Sequence, residues 1–193
     1  MKAKRLFIIA GCNGAGKTTA SYNILPELLN CKEFVNADEI ARGLSPFQPE
    51  SVSIEAGRIM LKRIDELILS GNDFAFETTL ATKSFIKTIE KAKTEGYFVS
   101  LIFFYLDSTS LAKKRVAKRV LEGGHNIESA VIERRYYAGI NNLFNKYNHC
   151  VDYLLIYDNS NIQSILVAEK QFDQEFRIFD KSRFTLLQSS VKQ

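Results

Sequence analysis

The chain has 193 residues, 46% of them hydrophobic and 25% charged, with ten Gly, three Pro and no Trp. This composition is close to the average of globular proteins and excludes disordered, collagen-like and low-complexity classes. The net charge of +4 is too small to indicate nucleic acid, so no nucleic-acid partner is expected, but it fits an anionic small ligand.

The sequence gives no sign of a membrane segment or a disulfide framework. No apolar run approaches the ~20 residues of a membrane helix. The basic N-terminus precedes an apolar stretch at 6–10, which is shorter than the ~7–15 residues of a signal-peptide core. Cys12, Cys31 and Cys150 form no closely spaced pair, and their odd number argues against structural disulfides. We therefore expect a cytoplasmic protein with no membrane partner.

Apolar strands alternate with amphipathic segments along the chain, which is typical of a parallel sheet flanked by helices. In chain order the pattern predicts a strand at 5–10, a helix at 17–29, a strand at 33–36, a helix at 52–68, a strand at 74–76, a helix at 82–94, a strand at 97–106, helices at 111–121 and 127–146, and a strand at 151–157. The tail at 164–187 alternates like a small β-hairpin or a short strand pair.

The most specific motif lies between the first predicted strand and helix, where residues 11–18 match G-x-x-x-x-G-K-[ST]. Glycines let the backbone curl so that successive N–H groups point at phosphate oxygens, and the helix adds the positive end of its dipole. Lys17 can reach the β- and γ-phosphates, and the Thr18 hydroxyl can bind Mg²⁺. We predict a nucleoside triphosphate site formed by Gly11, Cys12, Asn13, Gly14, Ala15, Gly16, Lys17, Thr18 and Thr19.

This motif predicts an α/β P-loop NTPase/kinase fold. We expect three layers with a central, mostly parallel sheet of about five strands, a helical lid at about 110–146 and a small C-terminal β addition. There is no internal repeat and no proline after Pro49, so we predict a single domain over residues 1–193.

Other P-loop classes fit the sequence less well than a small kinase. A GTPase would carry an N-K-x-D motif, and the similar run at 145–148 lacks the aspartate. An ABC ATPase would carry an LSGGQ-type signature, of which the run at 122–125 has only the two glycines. The remaining class is a small phosphotransferase with an acidic acceptor pocket and an arginine-rich lid.

Carboxylates follow the predicted strands, where ligands of parallel α/β sheets bind. Asp38 can accept a proton from an attacking hydroxyl or touch Mg²⁺, or else cap a short helix at 39–42. Glu77, Thr78 and Thr79 can contact a substrate or cap the next helix. Asp107 fits either a Walker-B-like carboxylate or a helix cap equally well.

The predicted lid carries many cations. Five lie within seven residues and flank an apolar stripe, which is typical of a solvated helix face: Lys113, Lys114, Arg115, Lys118 and Arg119. The alternative of a nucleic-acid patch is weak because no aromatic residues interleave with them. Arg119 differs because a Gly-Gly-His run follows like a hinge. Two arginines that converge on a transferring phosphate would stabilise its charge, and Arg135, or its neighbour Arg134, is the second candidate.

Taken in order, these motifs resemble those of the zeta toxin family of P-loop kinases. The resemblance extends over residues 5–160 and rests on Gly-Cys-Asn-Gly-Ala-Gly-Lys-Thr-Thr at 11–19, Asn-Ala-Asp-Glu-Ile-Ala at 36–41, Glu-Thr-Thr-Leu at 77–80, Leu-Asp-Ser at 106–108, Arg119 with Gly-Gly-His at 123–125, and Arg-Arg-Tyr at 134–136. It implies ATP and Mg²⁺ as cofactors and transfer of the γ-phosphate to a hydroxyl of UDP-N-acetylglucosamine. It also implies an antitoxin partner, because an antitoxin restrains many members.

By position, the resemblance makes Lys17 and Thr18 the phosphate and Mg²⁺ residues and Asp38 the base that faces the sugar hydroxyl. Glu77 and Thr79 become acceptor contacts, while Arg119 and Arg135 become lid arginines on the ATP phosphates. By the same resemblance, we expect the chain to lack the additional C-terminal structure of the longer family toxins. Two alternatives to a UDP-amino sugar kinase therefore stay open: a kinase for another small hydroxyl metabolite, nucleotide or antibiotic, and a non-transferring ATP-binding regulatory protein.

Overall fold

The computed structural model of the chain describes residues 3–124 and 126–191. Within them, one sheet contains seven strands: β1 (Lys4–Gly11), β2 (Glu33–Val35), β3 (Phe74–Thr78), β4 (Tyr97–Tyr105), β5 (Tyr153–Asp158), β6 (Ile165–Gln171) and β7 (Arg177–Ile178). The spatial order is β2-β3-β1-β4-β5-β6-β7. The first five strands pair in parallel, and the last two are antiparallel. The predicted count of about five was too low because the tail strands extend the same sheet.

The helices follow the strands in the predicted alternation. They are α1 (Lys17–Glu27), α2 (Ala37–Leu44), α3 (Ser53–Ser70), α4 (Phe85–Thr94), α5 (Thr109–Leu121), α6 (Ser129–Asn145) and α7 (Lys181–Ser189), with short 3₁₀ turns at Pro49–Val52 and Tyr147–His149. In the part of the chain that the structure describes, no helix is long and apolar enough to cross a membrane.

The tail prediction was wrong in its last part, where α7 replaces the expected β alternation. Asp180 begins this helix by accepting a hydrogen bond from the Arg183 backbone N–H. Phe184 and Leu187, three residues apart, then face the core. That spacing is helical, but only two apolar positions carry it, so the sequence pattern was too short to distinguish a helix from a strand.

Both faces of the central strands are covered, which confirms the three-layer prediction. Consecutive residues of a strand point to opposite faces. In β1 every residue from Leu6 to Gly11 is buried, and in β4 every residue from Val99 to Tyr105 is buried. Near-continuous burial of this kind means that helices pack on both sides of the parallel strands.

The parallel register brings the chemistry-bearing residues to one edge of the sheet. Ile9 and Ala10 of β1 stand opposite Glu77 and Thr78 of β3. The loop after β1 therefore lies next to the segment after β3, with the ends of β2 and β4 as outer neighbours. Ligands of open α/β sheets bind at this edge.

Helix α6 packs very closely on the segment after β3. A Cβ at Gly139 would lie 2.5 Å from the Thr79 carbonyl oxygen. Asn142 Nδ2 donates to the Leu80 carbonyl oxygen at 2.7 Å, and Leu80 has a φ of 55°. This non-glycine residue in the left-handed region is held there by α6.

We expect Gly139→Ala to lower the free energy of unfolding by about 1–3 kcal/mol, because the added methyl must displace the backbone at Thr79. Gly43→Ala is the matched control, since a Cβ at this helical glycine meets nothing within 4 Å. It should leave stability unchanged or raise it by up to about 1 kcal/mol. Chemical denaturation of both variants measures the difference, and equal stabilities would contradict the close packing.

Candidate active site

We call residues 11–18, which lie between β1 and α1 and match the nucleotide-binding motif, the phosphate loop. This loop has the backbone shape that its glycines predicted. Gly14 and Gly16 have φ values of 80° and 82°, a region that side chains other than glycine avoid. A Cβ at Gly14 would lie 2.8 Å from the Ala112 carbonyl oxygen, and one at Gly16 would lie 2.6 Å from Asn159 Nδ2. The loop is thus packed against α5 and against the segment after β5.

The buried side chains of the loop include those of Lys17 and Cys12. Lys17 is 6% exposed, and its Nζ donates to the Cys12 carbonyl oxygen at 3.0 Å. Burial raises the pKa of the Cys12 thiol to about 11, so the thiol stays neutral at physiological pH. The loop therefore holds the lysine cation with no thiolate charge to neutralise it.

Glu77, at the end of β3, connects the phosphate loop to the segment after β2. Its carboxylate lies 3.4 Å from Lys17 Nζ and accepts a hydrogen bond from Thr18 Oγ1 at 2.7 Å. It also accepts from Asn36 Nδ2 at 3.0 Å. P-loop enzymes hold Mg²⁺ between the loop Ser/Thr and a carboxylate, so Thr18 and Glu77 are the residues here that could hold it.

Asn36 is a site residue to which the sequence analysis gave no role. Its Oδ1 accepts hydrogen bonds from the backbone N–H groups of Asp38 and Glu39, which makes Asn36 the N-cap of α2. The alternative that Asp38 caps a helix at 39–42 was therefore wrong. An Asn followed by acidic residues in the first helical turn, here Asp38 and Glu39 after Ala37, is a common helix-start pattern and could have identified this cap.

Asp38 lies in the first turn of α2 with its carboxylate exposed. Among the described residues it makes no side-chain hydrogen bond or ion pair, yet it lines three cavities, two of which also include residues of the phosphate loop. An unpaired carboxylate in this place is free to accept a proton from a bound group.

The cavity in front of the loop has a volume of about 480 Å³. Its polar lining includes the predicted residues Lys17, Asp38, Glu77, Thr78, Thr79 and Arg135. Its far wall is apolar and comes from α3 and α4, with Ile54, Met60, Leu61 and Phe85. Arg58, which the sequence analysis did not single out, is an exposed cation on the same wall.

The two predicted lid arginines line cavities beside the phosphate loop, and one of them contacts the loop directly. Arg135 Nη1 donates to Asn13 Oδ1 at 3.2 Å. Burial lowers the pKa of Arg135, and the nearby charge of Asp38 opposes that shift. Its neighbour Arg134 is exposed, so Arg135 is the arginine of this pair that contacts the loop.

Arg119 of α5 lines a second cavity of about 410 Å³ together with Thr18, Thr19 and Asp38. Its Nε and Nη2 atoms are buried and have no hydrogen-bond partner among the described residues. Buried donors without partners are costly, so a guanidinium in this state fits an anion that would satisfy it. The phosphates of ATP match this requirement.

Other cations of the predicted lid are less solvated than expected. Arg115 donates to the carbonyl oxygens of Asn159 and Ser160 at 2.8 and 2.9 Å, and Lys113 Nζ lies 2.6 Å from Glu133. These two cations are partly exposed, and each has a specific partner outside α5 that the helical pattern could not show. Lys114 is exposed as predicted.

Two candidates of the sequence analysis remain, Asp107 and His125. Ser108 caps α5 by accepting from the Leu111 backbone N–H. Asp107 is exposed, and its carboxylate accepts a hydrogen bond from the Ser108 hydroxyl. His125 lies outside the described residues.

Comparison with known proteins gives consistent matches. The sequence model of the Zeta toxin family matches residues 1–171. An uncharacterized protein of Haemophilus influenzae is 30% identical over 137 residues, covering 70% of this chain and 94% of that protein.

Solved structures show the same fold at low sequence identity. The AvrRxo1-ORF1:AvrRxo1-ORF2 complex gives TM-scores of 0.78 with sulphate ions and 0.76 with ATP, each at 17% identity over 99% of this chain. This chain spans 65% of the length of those compared chains. The PezAT toxin-antitoxin system of Streptococcus pneumoniae gives 0.65 at 19% identity, covering 98% of this chain and 86% of the other.

Glu77→Gln keeps the size of the side chain but removes the charge that faces Lys17. We expect it to bind ATP more tightly without Mg²⁺, by about tenfold, because Lys17 is then no longer neutralised. The gain in affinity that Mg²⁺ gives the wild type should shrink in this variant.

Calorimetric titration with ATP, with and without Mg²⁺, measures both effects. Glu55→Gln, on the exposed first turn of α3, controls for the loss of one negative charge. Weaker Mg²⁺-free binding in Glu77→Gln would contradict the interpretation of the carboxylate as the counter-charge of Lys17.

Proposed function

The chain belongs to the zeta toxin family, and on that basis we propose that it is an ATP-dependent phosphotransferase that acts on a hydroxyl of a UDP-amino sugar such as UDP-N-acetylglucosamine. One observation carries the proposal. Asp38, whose carboxylate has no hydrogen-bond or ion-pair partner in the described part of the chain, lines both the cavity in front of the phosphate loop and the cavity that Arg119 lines. A protein that only binds or hydrolyses ATP has no need of such a carboxylate on an acceptor side.

The nucleotide side of the reaction uses the phosphate loop and the two arginines. Lys17 and the loop N–H groups hold the β- and γ-phosphates, while Arg119 and Arg135 offset the negative charge that develops during transfer. The buried Nε and Nη2 atoms of Arg119, which find no partner in residues 3–124 and 126–191, support this role. Mg²⁺, bound at Thr18 and Glu77, would neutralise further phosphate charge.

The acceptor side uses Asp38. The acceptor hydroxyl oxygen bonds to the γ-phosphorus, the bond from that phosphorus to the bridging oxygen breaks, and ADP leaves. Asp38 orients the hydroxyl and takes its proton. The transition state of phosphoryl transfer is loose, so correct positioning contributes as much as basicity.

The shape and charge of the front cavity support a nucleotide-sugar acceptor. Its apolar wall from α3 and α4 can cover the flat faces of rings, and Thr78 and Thr79 offer hydroxyls to sugar oxygens. Exposed Arg58 supplies a cation for a diphosphate. In this proposal α5 and α6, at about 110–146, act as the lid of a single kinase domain, and an antitoxin of the kind found in PezAT restrains it.

The decisive experiment incubates the protein with ATP, Mg²⁺ and a panel of nucleotide sugars, nucleotides, aminoglycosides and simple sugars. Mass spectrometry then detects the acceptor that gains one PO₃H group, with the Lys17→Ala variant as the inactive control. Gain by a UDP-amino sugar supports the proposal. Phosphorylation of another compound of the panel would identify that compound as the acceptor in place of a UDP-amino sugar. ATP hydrolysis without any phosphorylated acceptor would contradict phosphoryl transfer altogether.

Asp38→Asn keeps size but removes the charge, so transfer to the acceptor should fall by about 10²–10⁴-fold. Affinity for ATP with Mg²⁺ should change little, because the loop and the arginines hold the nucleotide. On the same preparation, rate assays measure transfer to the acceptor and calorimetry measures the affinity for ATP. A near-normal rate would show that Asp38 has no part in transfer, whereas lost nucleotide binding would make it a metal ligand.

Arg119→Ala and Arg135→Ala should each slow transfer strongly at saturating ATP, because arginines of this kind contribute about 10³–10⁵-fold to rate. Lys114→Ala is the matched control, since this exposed cation lies on the same helix as Arg119. Steady-state kinetics compare the three variants. Loss of activity in the lysine variant alone would show that the lid assignment is wrong.

A further inference from the structure

The segment that follows β5 lies directly on the phosphate loop. Asn159 Nδ2 donates to the Ala15 carbonyl oxygen at 2.7 Å, and Asn159 Oδ1 accepts from Ser164 Oγ at 2.6 Å. Since a carbonyl oxygen can only accept, the contact with Ala15 determines which end of the amide faces the loop.

This contact acts on one peptide unit of the loop. The Ala15 carbonyl and the Gly16 N–H belong to the same trans peptide, so they point in opposite directions. When Asn159 holds the oxygen, the Gly16 N–H is turned to the other side. Glycine adopts positive and negative φ about equally well, so the backbone at Gly16 does not choose this orientation by itself.

We propose that Asn159 is a positioning residue of the phosphate loop, whose amide fixes the Ala15–Gly16 peptide so that the Gly16 N–H faces the nucleotide phosphates. The inference rests on the proposed function only in requiring that this loop binds a nucleoside triphosphate. Asn159 is not part of the loop motif. It follows β5, which lies two strands away from β1 in the sheet.

The segment that carries Asn159 is rigid enough for this role. The Asn159 backbone N–H donates to the Tyr105 carbonyl oxygen at 2.9 Å, and Arg115 holds the Asn159 carbonyl from α5. Asp158 accepts from the Ser160 backbone N–H and from Arg183 Nε of α7, each at 2.8 Å. Strand, lid helix and C-terminal helix therefore all fix the position from which the amide reaches the loop.

Asn159 packs so closely on the phosphate loop that no side chain fits at position 16. A Cβ at position 16 would lie 2.6 Å from Asn159 Nδ2. The glycine thus permits both the backbone conformation and the approach of the amide, and the two residues fit only as a pair.

The experiment measures binding of ATP and of inorganic tripolyphosphate by calorimetry in the presence of Mg²⁺. Asn159→Ala removes the amide, and Asn159→Asp keeps its size but places an acceptor oxygen against the Ala15 carbonyl. Asn161→Asp, exposed on the same segment, is the matched control for the added charge. Thermal unfolding of each nucleotide-free variant identifies any loss of fold, and the aspartate variant keeps the test open if alanine proves unstable.

We expect Asn159→Ala and Asn159→Asp to bind both ligands about tenfold to a hundredfold more weakly, as loss of a hydrogen bond to a charged group does. Asn161→Asp should change affinity much less. A loss confined to ATP would overturn the proposal, because Asn159 would then act on the nucleoside and not on the phosphate loop.

Unchanged affinity in Asn159→Ala, or equal losses in Asn159→Asp and Asn161→Asp, would likewise overturn the proposal. In either case wild-type binding stays intact, so the proposed function survives. A wild-type protein that binds neither ligand would overturn the proposed function and this inference together.

Discussion

The buried ion pair between Lys17 and Glu77 is the interaction on which the rest of the site depends. Their side chains are 6% and 9% exposed, so each charge would be costly to bury alone. Removal of one partner from such a pair typically costs about 3–5 kcal/mol, because the other charge stays buried and unpaired. The pair therefore requires β1 and β3 to be neighbours, which the sheet order provides.

The same carboxylate organises both sides of the site. The Glu77 carboxylate accepts a hydrogen bond from the Thr18 hydroxyl, which is expected to bind Mg²⁺. It also accepts one from Asn36, the residue that caps α2. The cap sets where α2 begins and hence where Asp38 stands. One glutamate thus links the nucleotide side of the site to the carboxylate proposed to face the acceptor.

The edge of the sheet beyond β4 contributes in a different way. Arg115, Asn159 and Arg183 connect α5, the segment after β5 and α7 through charge-assisted or backbone hydrogen bonds. The tail strands and α7 are therefore more than a covering of the last parallel strand. They fix the segment after β5, which contacts the phosphate loop through Asn159.

The sequence by itself determined the features that arise from local order: the glycine spacing of the phosphate loop, the alternation of strands and helices, and the position of Asp38 after β2. Each depends on neighbours within a few residues. Only the tertiary structure decided the partners that are distant in sequence. Thr18 and Glu77 are 59 residues apart, Asn13 and Arg135 are 122 apart, and Ala15 and Asn159 are 144 apart. Periodicity tells which side of an element is buried, but a partner across the sheet depends on strand order, and that order is set by packing of the whole chain.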